Sequence, residues 1–144
     1  MATIPPLPTK IQLEIVTPDR SLIREAVDEI QVPGSEGYLG VLPGHTPLLS
    51  TLTVGELWYR IGATTHYLAI AGGFVEVLPD RVTILANLAE RAEDIDVTRA
   101  EAAKRRAEER LARPAVDVDV ERARISLLRS LIRLQVASRA RTRA

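Results

Sequence analysis

Residues 74–112 read FVEVLPDRVTILANLAERAEDIDVTRAEAAKRRAEERLA, and the period of the apolar residues changes part-way along. Phe74 to Leu78 and Val82 to Leu85 are short β-prone runs separated by Pro79-Asp80, the layout of a hairpin. From Val97 onward, Ala100, Ala103, Ala107 and Leu111 recur at steps of three and four with no Gly or Pro between them, so they share one face of an α-helix. The chain therefore passes from strand to helix near Glu90 to Asp94. We expect two regions: residues 1–90 as a β domain and residues 91–144 as a helical hairpin with a basic tail.

Upstream of this switch, Ile11, Leu13 and Ile15 alternate with Gln12 and Glu14 and stop at Thr17-Pro18-Asp19, the pattern of a half-buried strand ending in a turn. Ile30 to Val32, Leu57 to Ile61 and Tyr67 to Ala71 are further short runs bounded by Gly, Pro or Asp. Their spacing predicts an antiparallel β-sandwich or flattened barrel. Gly72-Gly73 and Pro79-Asp80 are read as tight turns between the last three strands. Downstream, Asp96 or Asp94 can cap the first helix, and Arg113-Pro114 stops it. Asp119 can cap a second helix, with Ala123, Leu127, Leu131 and Leu134 as an apolar stripe widened by Leu128, Ile132 and Val136. A short connection makes the helices antiparallel, and the alanine face of the first leaves them a thin core.

At 144 residues, 46% of them hydrophobic, the chain is long enough for a packed core, and no run of about 18 apolar residues could cross a bilayer. Met1 to Lys10 lacks the layout of a secretory signal, so a cytosolic location is expected. Without cysteine there is no disulfide scaffold, thiolate metal site or thiol nucleophile. The net charge of zero hides two opposite halves. Residues 1–96 hold 6 basic and 13 acidic residues, a balance of −7, and residues 97–144 hold 13 and 6, a balance of +7. The basic half can meet an acidic partner, fold onto the acidic half, or alternate between them.

Gly37-Tyr38-Leu39-Gly40-Val41-Leu42-Pro43-Gly44-His45-Thr46-Pro47-Leu48 closely resembles the Gly-x-Leu-Pro-Gly-His-x-Pro segment of the epsilon subunits of bacterial proton-translocating ATP synthases. Val16-Thr17-Pro18-Asp19, Gly72-Gly73-Phe74-Val75-Glu76-Val77 and Ala92-Glu93-Asp94-Ile95-Asp96 follow in that family's order and spacing. The resemblance spans Ile11 to Val136. It implies a non-catalytic stalk subunit, peripheral on the cytoplasmic face of the membrane, with a sandwich that touches the gamma subunit and the ring of c subunits. Gly40, Leu42, Pro43, Gly44, His45 and Pro47 are the expected partner contacts. The resemblance also implies a mobile hairpin that either folds on the sandwich or extends toward the catalytic alpha and beta subunits to restrain ATP hydrolysis. Membrane contact is expected only through the complex. Physically, the glycine-rich segment has neither the lysine nor the following helix of a phosphate loop, and Gly37, Gly40 and Gly44 are read as sites of positive φ in turns.

Ile95-Asp96-Val97-Thr98-Arg99-Ala100 matches the Ile/Leu-Asp-x-x-Arg-Ala motif that some members of this family use to bind ATP, and gap-free alignment adds Glu90, Arg106, Arg129 and Arg133. Arg99 and Arg106 lie two helical turns apart and Arg129 and Arg133 one turn apart, so each pair shares a face. Converging guanidinium groups suit a triphosphate, while Asp96 and Glu90 can accept from adenine or ribose. The alternative is that Asp96 only caps its helix and Arg106 pairs with Glu109 or Glu101. The resemblance thus implies ATP as a regulatory ligand, with no obligate cofactor, metal or catalytic residue expected. A phosphate loop, a serine elbow and a metal-ligand cluster are all missing, which argues against an enzyme. The other rival is a basic-tailed nucleic-acid-binding or adaptor module, suggested by Arg139 to Arg143. Nucleic acid is not expected as a partner, because the basic half has no aromatic residue on which a base could stack.

Overall fold

The structure is a computed structural model that describes residues 3–113 and 118–141. Seven strands, β1 (Ile11–Val16), β2 (Ser21–Val27), β3 (Glu29–Gly34), β4 (Gly37–Val41), β5 (Leu48–Ile61), β6 (Thr64–Leu78) and β7 (Arg81–Arg91), form one sheet in the order β2-β1-β7-β6-β5-β3-β4. Every pairing is antiparallel except β1 with β7, which run in parallel from Gln12 opposite Arg81 to Val16 opposite Leu85. The alternation in β1 is fully expressed, with Ile11, Leu13 and Ile15 at 1% exposure or less. They join Ile30, Leu57, Leu68, Ile70, Val75 and Ile84 in a single core. β2 and β4 are strands that the hydrophobic pattern does not mark, because each buries only one or two apolar side chains.

Gly72-Gly73 is not a turn between strands. Both glycines lie inside the 15-residue β6, with φ of 77° and 121°. Here the ladder skips a pair, running from Leu52 opposite Gly73 to Val54 opposite Ala71, while Ala71 and Gly73 face Leu88 and Ala86. The buried set of β6 also changes phase, from Leu68 and Ile70 to Val75 and Val77. A long strand bends sharply here, so that each of its halves contributes to the core. A Cβ on Gly73 would sit 2.0 Å from the Leu85 carbonyl oxygen, so this close approach of two backbones requires glycine.

After β7, a 3-10 turn at Ala92–Asp94 leads to α1 (Val97–Ala112), and α2 (Val120–Arg141) follows. Asp96 caps α1 by accepting the Arg99 backbone N–H at 3.1 Å, and Asp119 caps α2 by accepting that of Arg122 at 3.1 Å. The Arg113 backbone N–H donates to the Glu109 carbonyl and ends α1; Pro114 lies outside the described residues. The helices pack on each other along a seam of small side chains: Ala100 and Ala107 on α1, and Ala123, Ser130 and Ala137 on α2. The seven-residue steps on both helices keep one narrow stripe in contact. The apolar stripe expected for α2 is expressed in part: Ala123 and Val136 are buried and Leu127, Ile132 and Leu134 half-buried, whereas Leu128 and Leu131 depart from it, exposed at 43% and 42%. The C-terminal half of α2 also docks on the sheet, where Val136 and Ala137 meet Ala69, Ala92 and Ile95.

Candidate functional site

Where α2 meets the end of β7, Glu90 faces Arg133. The Arg133 Nη2–H donates to Glu90 Oε2 at 3.1 Å, while its buried Nε lies 2.7 Å from Oε1 without a hydrogen-bonding angle. The two side chains are only partly exposed, at 26% for Arg133 and 37% for Glu90, so the pair is less screened than a surface pair. Arg129, one helical turn earlier, joins them around a cleft walled by Val54, Ala71, Leu88 and Ile132. Its volume is about 40 Å³, room for a water molecule and far below the several hundred Å³ that a bound nucleotide occupies.

The other residues expected for an ATP site do not line this cleft. Ile95 is only 8% exposed, in the cluster that anchors α2 to the sheet, and Ala100 is buried in the helix seam. Asp96 spends one carboxylate oxygen on the cap, and the Arg99 side chain is exposed. Arg106 is also exposed and borders a surface depression with Glu109, Arg110, Arg113 and Val118 at the connection end of the hairpin. The fold thus brings Glu90, Arg129 and Arg133 to one cleft and leaves Arg106 outside its walls. Among the described residues, no group of three or more His, Asp and Glu side chains could hold a metal ion.

A second candidate surface surrounds the loop after β4. The His45 backbone N–H donates to the Leu42 carbonyl at 3.2 Å, making a four-residue turn with Pro43 second and Gly44 third at φ 87°. The Gly44 N–H donates to the Pro79 carbonyl at 2.7 Å, which ties this turn to the β6–β7 turn. His45, half-buried, places Nδ1 2.7 Å from the Thr46 carbonyl oxygen and so stiffens the loop. Leu42 is 56% exposed at its tip, and Pro47 is exposed beside it. Gly40 departs from expectation: it lies in β4 opposite Gln31 without positive φ.

The adjoining outer face of the sheet carries Leu49, Phe74 and Leu85, exposed at 71%, 51% and 53%. Phe74 stands opposite both Thr51 and Leu85 in the ladder, so the three residues form one apolar patch. Sequence reasoning missed this patch. The available signal was that Phe74 falls on the opposite face from Val75 and Val77.

The comparisons with known proteins decide the family. Residues 10–92 match the ATP synthase delta/epsilon chain beta-sandwich domain, and residues 93–138 match the long alpha-helix domain of the same family. The chain belongs to the ATP synthase delta/epsilon chain family. It is 55% identical over 130 residues to the ATP synthase epsilon chain of Syntrophobacter fumaroxidans, covering 90% of this chain and 97% of that one. With the ATP synthase epsilon chain of Solibacter usitatus it shares 47% over 133 residues, 92% and 99% of the two chains. A chain of the mitochondrial ATP synthase of Euglena gracilis, in a cryo-EM structure that includes the c-ring, superposes with a TM-score of 0.71 at 25% identity, covering 96% of this chain and 84% of that one. No helix among the described residues is long and apolar enough to cross a membrane.

Proposed function

We propose that this chain is a non-catalytic subunit of the central stalk of an ATP synthase, with a coupling sandwich and a regulatory hairpin. In this reading the Leu42–Pro47 loop and the patch of Leu49, Phe74 and Leu85 are contact surfaces for the gamma subunit and the c-ring. Exposed apolar area of this kind favours a permanent partner. The assembly holds the chain against the cytoplasmic face of the bacterial membrane without contact of its own. The hairpin, extended, reaches the catalytic alpha and beta subunits with its basic surface and restrains hydrolysis; such a contact weakens with salt.

The observation that carries the regulatory part is the cleft of Glu90, Arg129 and Arg133 at the junction of the two regions. With the cleft closed, Glu90 is the counter-ion of Arg133. ATP enters only if that pair opens, after which its phosphates take over Arg133 and Arg129, with Arg99 and Arg106 brought in by adjustment of α1. Asp96 and Glu90 then accept from the adenine amino group or the ribose. A ligand shifts an equilibrium only through its preference for one state, so ATP bound across the junction opposes extension. As ATP falls, the brake is released onto the catalytic subunits.

Calorimetric titration with ATP and, in parallel, GTP tests this. We expect saturable one-to-one binding that prefers ATP and is lost in the double variant Arg99→Ala, Arg133→Ala. Unchanged affinity in that variant contradicts the assignment of these residues.

A further inference from the structure

The face of the sandwich that receives α2 contains a carboxylate where packing alone would place an apolar side chain. Glu56, in β5, is 7% exposed and stands opposite Ala69 in the β5–β6 ladder, with Tyr67 opposite Trp58 one row further along the same face. Ala69 packs against Val136 and Ala137 of α2. Arg139 follows Val136 by about one helical turn and therefore arrives over the same spot. Its Nε–H donates to Glu56 Oε2 at 3.2 Å and its Nη2–H to Oε1 at 3.3 Å, a two-point fork, while the guanidinium carbon lies 5.2 Å from the centre of the Tyr67 ring.

We infer that Glu56, Arg139 and Tyr67 form a releasable latch that holds the end of the hairpin on the sandwich independently of nucleotide. The inference rests on the reading that the hairpin leaves the sandwich, and it adds which contact sets the docked population when ATP is absent. Arg139 lies outside the ATP motif, so opening the Glu90–Arg133 pair to admit a nucleotide leaves this second fastening intact. The chemistry suits a reversible contact. An apolar residue at position 56 would hold α2 by burial but would leave a sticky face after release, whereas a carboxylate returns to water without penalty. Docked, the same carboxylate is almost fully desolvated and depends on the arginine fork. Removing Arg139 strands the buried carboxylate, and neutralising Glu56 removes the charge that the fork grips, so either single change weakens docking. Tyr67 makes the contact selective for arginine, because a planar guanidinium stacks on a ring while it donates sideways and an ammonium does not do both.

The test is amide hydrogen exchange on the full chain without nucleotide, followed peptide by peptide. In Glu56→Gln and in Arg139→Ala, α2 amides are expected to exchange about tenfold faster or more than in the wild type, with β1 and β7 unchanged. Arg139→Lys falls between, since it keeps the charge and loses the fork. Should Glu56→Gln disturb the sheet, Arg139→Ala decides, because that side chain is 44% exposed and takes no part in the sandwich core. Exchange in α2 that is unchanged in Arg139→Ala overturns the latch. The measurement contains no ATP and no catalytic subunits, so it stands or falls separately from nucleotide binding, which the titration above reads, and from inhibition of hydrolysis.

Discussion

The sandwich and the hairpin are built from different currencies of burial. In the sandwich, Ile11, Leu13, Ile15, Ile30, Leu57, Leu68, Ile70 and Ile84 are all essentially inaccessible to solvent, and each contributes about 2 kcal/mol of transfer free energy. In the hairpin seam the buried residues are Ala100, Ala107, Ala123, Ser130 and Ala137, each worth about 0.8 kcal/mol or less. Among the described residues, the hairpin meets the sandwich through a small apolar cluster and through polar contacts that include Arg133 with Glu90 and Arg139 with Glu56. The difference teaches that the two regions should differ in how readily they open. A deep apolar core unfolds as a unit, whereas a thin seam with polar fastenings can open while the rest stays folded.

The comparison breaks most severely if the sandwich loses its bend. Gly73→Ala drives a Cβ against the Leu85 carbonyl at a φ unfavourable for any side chain, and we expect a loss of about 3 kcal/mol in denaturant unfolding followed by Trp58 fluorescence. A smaller and more selective effect is expected for Ala107→Leu, which overfills the seam. It should cost the hairpin about 1–2 kcal/mol, seen as lost helical ellipticity, and leave the Trp58 transition in place. If both signals moved together, the two regions would be one cooperative unit.

The smallest effect concerns acid. Hydrogen bonding from Lys10, then the Gly62 backbone N–H, holds the Asp28 carboxyl below its ordinary value of 3.8. A depressed folded-state pKa means that the stabilisation is complete above 3.8 and is lost as pH falls through the lower folded value. Asp28→Asn should therefore flatten the acid limb of the sandwich transition slightly and leave the hairpin signal unchanged.

Much of this organisation was legible in the sequence because it depends on local chemistry. The alternation of Ile11, Leu13 and Ile15 marks a half-buried strand, and Asp96 and Asp119 cap their helices by bonds three residues long. The Gly72-Gly73 pair misled because a positive φ reads the same in a turn and in a bent strand; only the opposing Leu85 backbone distinguishes them. The α2 stripe was legible at Ala123 and Val136 but not at Leu128 and Leu131, because an apolar stripe wider than the contact leaves its flanks in solvent. In the candidate site, Glu90 and Arg133 were found through the motif and do meet across 43 residues. Glu56 and Arg139, 83 residues apart, belong to no motif and emerge only when α2 is laid on the sheet.

The most direct measurement of the division of labour is the ATP hydrolysis rate of a reconstituted complex of alpha, beta and gamma subunits. It would be taken with the full chain and with a chain ending at Arg91, which keeps the whole sandwich core. We predict that both chains join the complex, that the full chain slows hydrolysis most at low ATP, and that the shortened chain leaves the rate unrestrained. Equal rates at every ATP concentration, with both chains bound, would contradict a regulatory hairpin.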